Sequence, residues 1–100
     1  MVTWDIKAQV DLAEVIILAA RQSLERARGV EEVIRTKVTS LDRHPMIGVA
    51  VPGLDDSYRT TYADKQRYRI YYRVLGSQII QIVRVRSSKQ RPLRPDEIEP

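Results

Sequence analysis

Residues 67–86 read RYRIYYRVLGSQIIQIVRVR, and the fold is decided in this stretch. On both sides of Gly76 and Ser77, apolar or aromatic residues alternate with polar ones, many of them arginines, and this period of two is typical of β-strands. A glycine-led pair between two such runs indicates a hairpin with a two-residue turn. The stretch therefore predicts two antiparallel strands at the centre of a sheet.

The two-residue turn sets a predicted register for this hairpin. One face, which we expect to meet the core, carries mostly apolar pairs: Val74 with Ile79, Tyr72 with Gln81, Ile70 with Val83, and Tyr68 with Val85. The other face collects five arginines in the remaining pairs: Arg73 with Ile80, Tyr71 with Ile82, Arg69 with Arg84, and Arg67 with Arg86.

Two pairs of arginines would face each other directly in this register. Like charges opposed across a ladder destabilise a sheet by roughly a few tenths of a kcal/mol up to 1 kcal/mol. The arrangement therefore favours an anion, or an acidic partner chain, lying across this face. The alternative is that the arginines are solvated side chains that protect edge strands from aggregation.

The composition fits one domain over residues 1–100 with a modest core. Lys and Arg number 17 against 13 Asp and Glu, so the net charge is +4. Residues 58–94 hold ten Lys or Arg and one acid, Asp64, a distribution that suits an acidic partner. With no apolar stretch long enough for a signal peptide or a membrane span, we expect a cytoplasmic protein.

The residue types also limit the chemistry. The absence of cysteine excludes disulfides, thiolate catalysis and Cys-ligated metals. The one histidine, His44, cannot form a His-rich metal site, and a lone histidine after a helix is more often a cap or a surface group than a catalyst. We predict no metal and no cofactor.

The first half predicts a short strand at residues 2–4 followed by a helical hairpin. Asp5 is a candidate N-cap for a helix over about residues 7–21, and Ser23 caps a second helix that ends near Arg43. Each helix carries an apolar stripe that needs a sheet to cover it. The first helix has further apolar residues, which fit either a second packed side or a patch exposed for another chain: Ile17, Leu18 and Ala20.

Residues 46–57 predict a loop, and residues 58–62, YRTTY, predict a further strand. In the C-terminal segment SSKQRPLRPDEIEP, Pro92 and Pro95 predict irregular structure, and the last five residues should be frayed. Its basic residues extend the basic surface of the hairpin: Lys89, Arg91 and Arg94.

Five segments resemble the RelE/ParE superfamily of type II toxin–antitoxin toxins: DLAEVI, LDRHPMIG, YRTTY, RYRIYYRV and IIQIVRVRSSKQR. The resemblance implies an α+β fold in which an N-terminal short strand and a two-helix hairpin pack on a twisted antiparallel sheet. It also implies a small toxin of the plasmid-stabilisation type. A cognate antitoxin would wrap and neutralise it in a toxin–antitoxin hetero-oligomer.

The superfamily has two branches, and the resemblance implies different targets for each. RelE-like toxins cleave mRNA in the ribosomal A site, whereas ParE-like toxins inhibit DNA gyrase and are not nucleases. The functional arginine of the RelE-like Y-R-[LIV]-x-Y motif matches Arg69, and a basic residue after the last strand matches Lys89 or Arg91. The lysine pair of that branch has no counterpart in residues 58–61, and Pro95 lies near the place of its C-terminal tyrosine.

The chemistry agrees with these departures. RNA cleavage needs proton transfer as well as stabilisation of the phosphorane, and arginines perform only the second task because they stay protonated. The local candidates for proton transfer are Lys89, Tyr71 and Tyr62. Five arginines predict an anion cradle, and the P-x-x-G segment from Pro45 to Gly48 and Arg59 also resemble the ParE-like branch. We therefore favour a ParE-like gyrase inhibitor, with a RelE-like mRNA endoribonuclease as the alternative.

The predicted target-binding surface comprises basic residues of the sheet and C-terminal segment with one tyrosine: Arg59, Arg67, Arg69, Tyr71, Arg73, Arg84, Arg86, Lys89, Arg91 and Arg94. On the RelE-like alternative, the catalytic residues would be Arg69, Lys89 and Arg91. A third hypothesis is a basic RNA-binding adaptor without catalysis. It is less favoured because Tyr71 is the only aromatic residue on the predicted basic face.

Overall fold

The computed structural model describes residues 1–76 and 78–99. The elements in chain order are β1 (Val2–Trp4), α1 (Ile6–Ala20), α2 (Leu24–Leu41), β2 (Val49–Ala50), β3 (Tyr58–Ala63), β4 (Tyr68–Leu75), β5 (Ile79–Ser87) and α3 (Pro95–Ile98). Within the described residues, none of the helices combines the length and the apolar character that crossing a membrane requires.

The five strands form one sheet in the order β1-β5-β4-β3-β2. Strand β1 pairs with β5 in parallel, and the other neighbours are antiparallel. The predicted α+β fold is confirmed, with the difference that the sheet is mixed. The helical hairpin follows β1 and carries the chain away from it. β5 later joins the sheet beside β1 and runs in the same direction, so this pair is parallel.

The two long helices begin where their caps predict. The Asp5 carboxylate accepts a hydrogen bond from the Lys7 amide at 2.8 Å, and the Ser23 hydroxyl accepts one from the Arg26 amide at 3.0 Å. Their apolar stripes pack on one face of the sheet and form the main core together with residues from β3, β4 and β5, among them Ile70. We call the opposite side of the sheet the basic face.

The predicted register of the central hairpin is wrong. Leu75 lies opposite Ile79, so residues 76–78 connect the strands and Val74 lies opposite Ile80. Gly76 and Gln78 adopt left-handed conformations with φ of 48° and 69°, as longer hairpin loops often require. Ser77, which belongs to the predicted two-residue turn, lies outside the described residues.

A β-bulge in β5 shifts the register again. Ile82 lies opposite Tyr72 and Arg84 opposite Tyr71, so Val83 is an extra residue. Val85 therefore returns to the helix side as predicted, whereas Val83 is buried on the basic face and not under the helices. Ile80 and Ile82, predicted for the basic face, are buried in the main core.

A second, smaller core lies on the basic face, and the C-terminal segment covers it. Its members are Val51, Tyr58, Tyr71, Val83, Leu93 and Ile98, with Leu54 packed against them. The prediction of an irregular, frayed end is wrong for residues 95–99, because Pro95 fits the first turn of α3 and Ile98 is only 2% exposed. Pro100 lies outside the described residues.

Part of the predicted loop 46–57 is the short edge strand β2, and Tyr72 tethers the chain in front of it. The Tyr72 hydroxyl donates to the Pro45 carbonyl at 2.7 Å and accepts from the Gly48 amide at 2.9 Å. Burial raises the pKa of Tyr72. A Cβ on Gly48 would lie 2.6 Å from the Thr60 carbonyl oxygen, so only glycine fits beside β3.

Asp11 of α1 joins the helical layer to the bulged part of β5. Its carboxylate accepts hydrogen bonds from Arg84 Nε at 2.7 Å and Arg84 Nη2 at 3.1 Å. It also accepts a hydrogen bond from the Val85 amide at 3.0 Å. Val85 lies beyond Ile82, the last residue of β5 that pairs with β1. Both charged side chains are largely buried, with 17% of Arg84 and 11% of Asp11 exposed. Asp11 thus takes the place of a neighbouring strand at this edge.

We expect Asp11→Ala to destabilise the protein by about 3–5 kcal/mol, because Arg84 would keep a largely buried charge without its partner. The matched control is Glu31→Ala, which breaks an exposed ion pair with Arg35 worth about 0–1 kcal/mol. Urea unfolding followed by circular dichroism measures both free energies. Equal losses in the two variants would contradict the role given to Asp11.

Candidate functional site

The arginines of the central hairpin do not form one continuous cluster. Arg84 is held by Asp11 and donates a further hydrogen bond to the Glu97 carbonyl at 3.2 Å. These contacts occupy the guanidinium group, and the hydrogen bond that it donates to Asp11 raises the pKa of Arg84. Arg67 lies in the turn before β4, mostly exposed and 3.6 Å from an Asp64 carboxylate oxygen.

Arg73 and Arg59 make their contacts near the start of β3, at the other end of the central strands from Arg67. The Arg73 guanidinium stacks over the Tyr58 ring at 4.7 Å from its centroid, and its Nε donates to the Ser57 hydroxyl at 3.1 Å. Arg59 Nε donates to the Gly48 carbonyl at 3.1 Å. These contacts stabilise the start of β3 and the loop in front of it, and target binding by either arginine stays a prediction.

In the described ladders, Arg69 and Arg86 are the one pair of arginines that lie directly opposite each other. The predicted pairs Arg69 with Arg84 and Arg67 with Arg86 are wrong, because the loop and the bulge of β5 change the register. Arg86 Nε donates to the Arg91 carbonyl at 3.1 Å. Among the described residues, no carboxylate lies within 4.0 Å of a guanidinium nitrogen of Arg69 or Arg86.

Arg69 lies between two tyrosines. Its Nη2 donates to the Tyr62 hydroxyl at 3.0 Å and its Nη1 to the Tyr71 hydroxyl at 3.4 Å. The guanidinium carbon is 5.3 Å from the centroid of the Tyr62 ring. The Tyr71 hydrogen bond, followed by that of Tyr62, raises the pKa of Arg69, and burial opposes this shift.

Tyr62 is the residue of this cluster that sequence reasoning placed only among proton-transfer candidates. It lies opposite Arg69 in the β3–β4 ladder, and 37% of it is exposed. A signal existed in the sequence, since YRTTY is a predicted strand. Only the pairing of β3 with β4, however, shows which residue of that strand shares a face with Arg69.

The C-terminal segment supplies its own acids to its basic residues. Arg91 binds the Glu97 carboxylate through two nitrogens, at 2.7 and 2.8 Å, and the Arg94 amide donates to the same carboxylate at 2.9 Å. These bonds lower the pKa of Glu97 to about 2, and Glu97 raises the pKa of Arg91. The Leu93 amide donates to the Tyr71 hydroxyl at 3.2 Å, which fastens the segment to the sheet.

A groove of about 570 Å³ runs between α1 and the end of β5. Its apolar wall includes Ile6, Val10 and Leu18, each at least half exposed, and Lys7 and Lys89 border it. A second cavity of about 520 Å³ shares Leu18 and Lys89 with the groove and adds two arginines, Arg26 and Arg67. We call the two together the α1 groove.

The exposure of α1 decides between the two interpretations of its extra apolar residues. Ile17 and Leu18 are 56% and 57% exposed, whereas Ala20 is half-buried against the main core. The patch of Ile17 and Leu18 is therefore free for another chain. His44, in contrast, is an exposed residue after α2 whose amide donates to the Ser40 carbonyl. In the described part of the chain, no group of three or more His, Cys, Asp or Glu residues could hold a metal ion.

Residues 2–92 match the model of a protein family described as the ParE toxin of the type II toxin–antitoxin system parDE. The chain belongs to this family. The fold is similar to that of a solved structure described as the chromosomal ParDE TA system from P. aeruginosa, with a TM-score of 0.71 and 24% sequence identity. The similarity covers 86% of this chain and 92% of that chain. Among proteins of curated function, none matches the sequence at a significant level.

Membership of the ParE family confirms the predicted toxin family and implies a cognate antitoxin as partner. Two surfaces of this ParE-family toxin are candidates for binding a partner: the α1 groove and the basic face. The α1 groove combines exposed apolar side chains of α1 with basic residues, and Glu14 also lines it. The basic face is largely covered by the C-terminal segment, and the paired arginines Arg69 and Arg86 remain without an acidic partner among the described residues.

We expect docking of the C-terminal segment to depend on pH through Glu97. Its pKa in the fold is about 2, below the ordinary value of 4.5, so its stabilising contribution is complete above about pH 4.5. The contribution is lost as the pH falls from about 4.5 through about 2. The NMR signals of the Ile98 methyl groups, followed over this range, report the docking.

Two variants isolate the Glu97 contribution from other acids that titrate in the same range. Glu97→Gln should remove this part of the pH dependence, because the amide is uncharged at every pH. Glu99→Gln, a change at an exposed neighbouring residue, should leave it in place. Identical pH profiles for the wild type and Glu97→Gln would show that the contact with Arg91 does not hold the segment.

Proposed function

We propose that this ParE-family toxin arrests growth by inhibiting DNA gyrase in the cytoplasm, as a member of a plasmid-stabilisation module. The observation that carries the proposal is the bonding around Arg69. Both hydroxyl groups that contact this arginine accept hydrogen bonds from it, and neither contacts a second titratable group among the described residues. The cluster is suited to holding an anion and lacks a relay for protons.

The surroundings of Arg69, Tyr71 and Arg91 support this interpretation. Arg69 stays protonated, since its pKa is raised above an already high ordinary value. The Tyr71 phenol is buried, and its oxygen also accepts a hydrogen bond from the Leu93 amide. If Tyr71 left this network to transfer a proton, the C-terminal segment would lose one of its anchors. Arg91, a match to the RelE-like catalytic residues, is bound to Glu97 through two nitrogens. Binding is therefore favoured over cleavage of RNA.

Purified toxin should inhibit the supercoiling activity of gyrase and leave ribosome-bound mRNA intact. The reason is that the arginines stabilise negative charge but do not transfer protons at ordinary pH. The measurements are a plasmid supercoiling assay and primer extension on mRNA with a filled ribosomal P site. Arg69→Ala is tested in both assays beside wild-type protein.

The outcomes separate the three hypotheses. Cleavage of A-site mRNA by the wild type that Arg69→Ala abolishes would overturn the gyrase proposal in favour of an mRNA endoribonuclease. Activity in neither assay, together with RNA binding, would instead favour a basic RNA-binding adaptor. Inhibition of supercoiling without any mRNA cleavage is the expected result.

We further propose that a segment of the cognate antitoxin occupies the α1 groove. The groove combines exposed apolar side chains with a basic rim, and an amphipathic segment with acidic residues complements both features. Ile17 and Leu18 lie on the same helix, so the apolar contact can continue along α1. On the basic face, in contrast, the C-terminal segment covers the apolar core of Val51, Tyr58, Tyr71 and Val83.

Leu18→Lys should weaken antitoxin binding by about 10- to 150-fold, because burial of a leucine side chain is worth about 1.5–3 kcal/mol. The matched control is Leu24→Lys, a change at another exposed leucine at the start of α2, which should have little effect. Isothermal titration calorimetry with the purified antitoxin measures both. Affinity should also fall with salt if the basic rim contributes, whereas equal effects of the two variants would place the antitoxin elsewhere.

A further inference from the structure

The row Tyr62, Arg69 and Arg86 crosses three neighbouring strands on the basic face. Tyr62 lies opposite Arg69 in the β3–β4 ladder, and Arg69 lies opposite Arg86 in the β4–β5 ladder. Neighbouring strands are about 4.8 Å apart, so the row spans about 10 Å. We propose that this row is a binding site for single-stranded nucleic acid, with the arginines on its phosphates and an unpaired base on the Tyr62 ring.

The charge of the opposed pair indicates an anionic ligand. Two guanidinium groups directly across a ladder repel each other, and a sheet without a ligand gains nothing from this arrangement. Two other arginines are neutralised by acids of the same chain, since Arg84 binds Asp11 and Arg91 binds Glu97, whereas Arg73 on this face stacks on the Tyr58 ring. In residues 1–76 and 78–99, Arg69 and Arg86 have no such carboxylate, so an external anion fits best here.

The exposed aromatic ring favours nucleic acid over an acidic peptide. Bases stack on aromatic side chains beside cations in proteins that bind single strands, whereas a carboxylate needs only the arginines. Tyr62 has 37% of its surface exposed, and Arg69 already contacts its ring and hydroxyl, which holds the side chain in place. An acidic peptide with apolar residues would find its complement in the α1 groove.

This inference goes beyond the proposed function, and it does not require that gyrase is the target. It makes a quantitative statement about salt. Two phosphate contacts give a slope of log affinity against log salt of about −1.4 for a single strand, whereas five would give about −3.5. A single strand should also bind more tightly than a duplex, because only an unpaired base can stack on Tyr62.

The test is fluorescence anisotropy with the full chain and labelled oligonucleotides of one length: oligo(dT), oligo(rU) and a DNA duplex. Arg86→Gln should make the salt slope less steep by about 0.7, and Arg69→Gln should do the same. Tyr62→Leu should weaken single-strand binding by about 5- to 150-fold and leave the slope unchanged. The matched control is Arg28→Gln, which removes an exposed charge from α2.

Thermal unfolding by circular dichroism verifies that each variant is folded. The oligo(dT) and oligo(rU) arms show whether the site takes DNA, RNA or both. Single-strand binding that survives Tyr62→Leu, or a salt slope that Arg28→Gln changes as much as Arg86→Gln does, would overturn the proposal. Binding of a labelled poly-glutamate peptide, without binding of any oligonucleotide, would overturn it in favour of an acidic protein partner.

Discussion

The contact on which the structure depends most is that of Asp11 with Arg84 and the Val85 amide. It joins α1 to the edge of β5 where β1 has ended, and it holds the strand at its bulge. Because the bulge adds one residue, Val85 packs under the helices while Val83 packs on the opposite face. One carboxylate thus connects the helical layer, the central hairpin and, through Arg84, the carbonyl of Glu97 in α3.

The bulge also determines how the basic face is divided. Val83 contributes to the second core, on which Leu93 and Ile98 anchor the C-terminal segment. This segment brings Glu97 to Arg91 and so compensates a charge that would otherwise be free. The alternating arginines alone would have made this face uniformly cationic. Instead, the C-terminal segment covers one part of the face, and the other part stays open and carries the opposed pair Arg69 and Arg86.

Two surfaces of different character follow from this division. The α1 groove combines exposed apolar side chains with basic residues, which suits an amphipathic protein segment. The row of Tyr62, Arg69 and Arg86 is flat and polar, which suits a phosphate backbone with an unpaired base. Arg86 borders both surfaces, so occupancy of one is expected to affect the other. On the proposals above, an antitoxin segment in the groove would therefore lie beside the row of Tyr62, Arg69 and Arg86.

The sequence by itself determined the α+β fold class, the caps at Asp5 and Ser23 and the faces of β4, because these depend on local hydrogen bonds and on a regular period. It also carried the family resemblance. Only the tertiary structure decided the register of β5 and the docking of Ile98. A bulge inserts a residue without changing the local pattern, and a lone apolar residue near a terminus gains a role only when a second core is there to bury it. Likewise, Tyr62 joins Arg69 only because β3 pairs with β4, a contact between residues distant in sequence that no local period encodes.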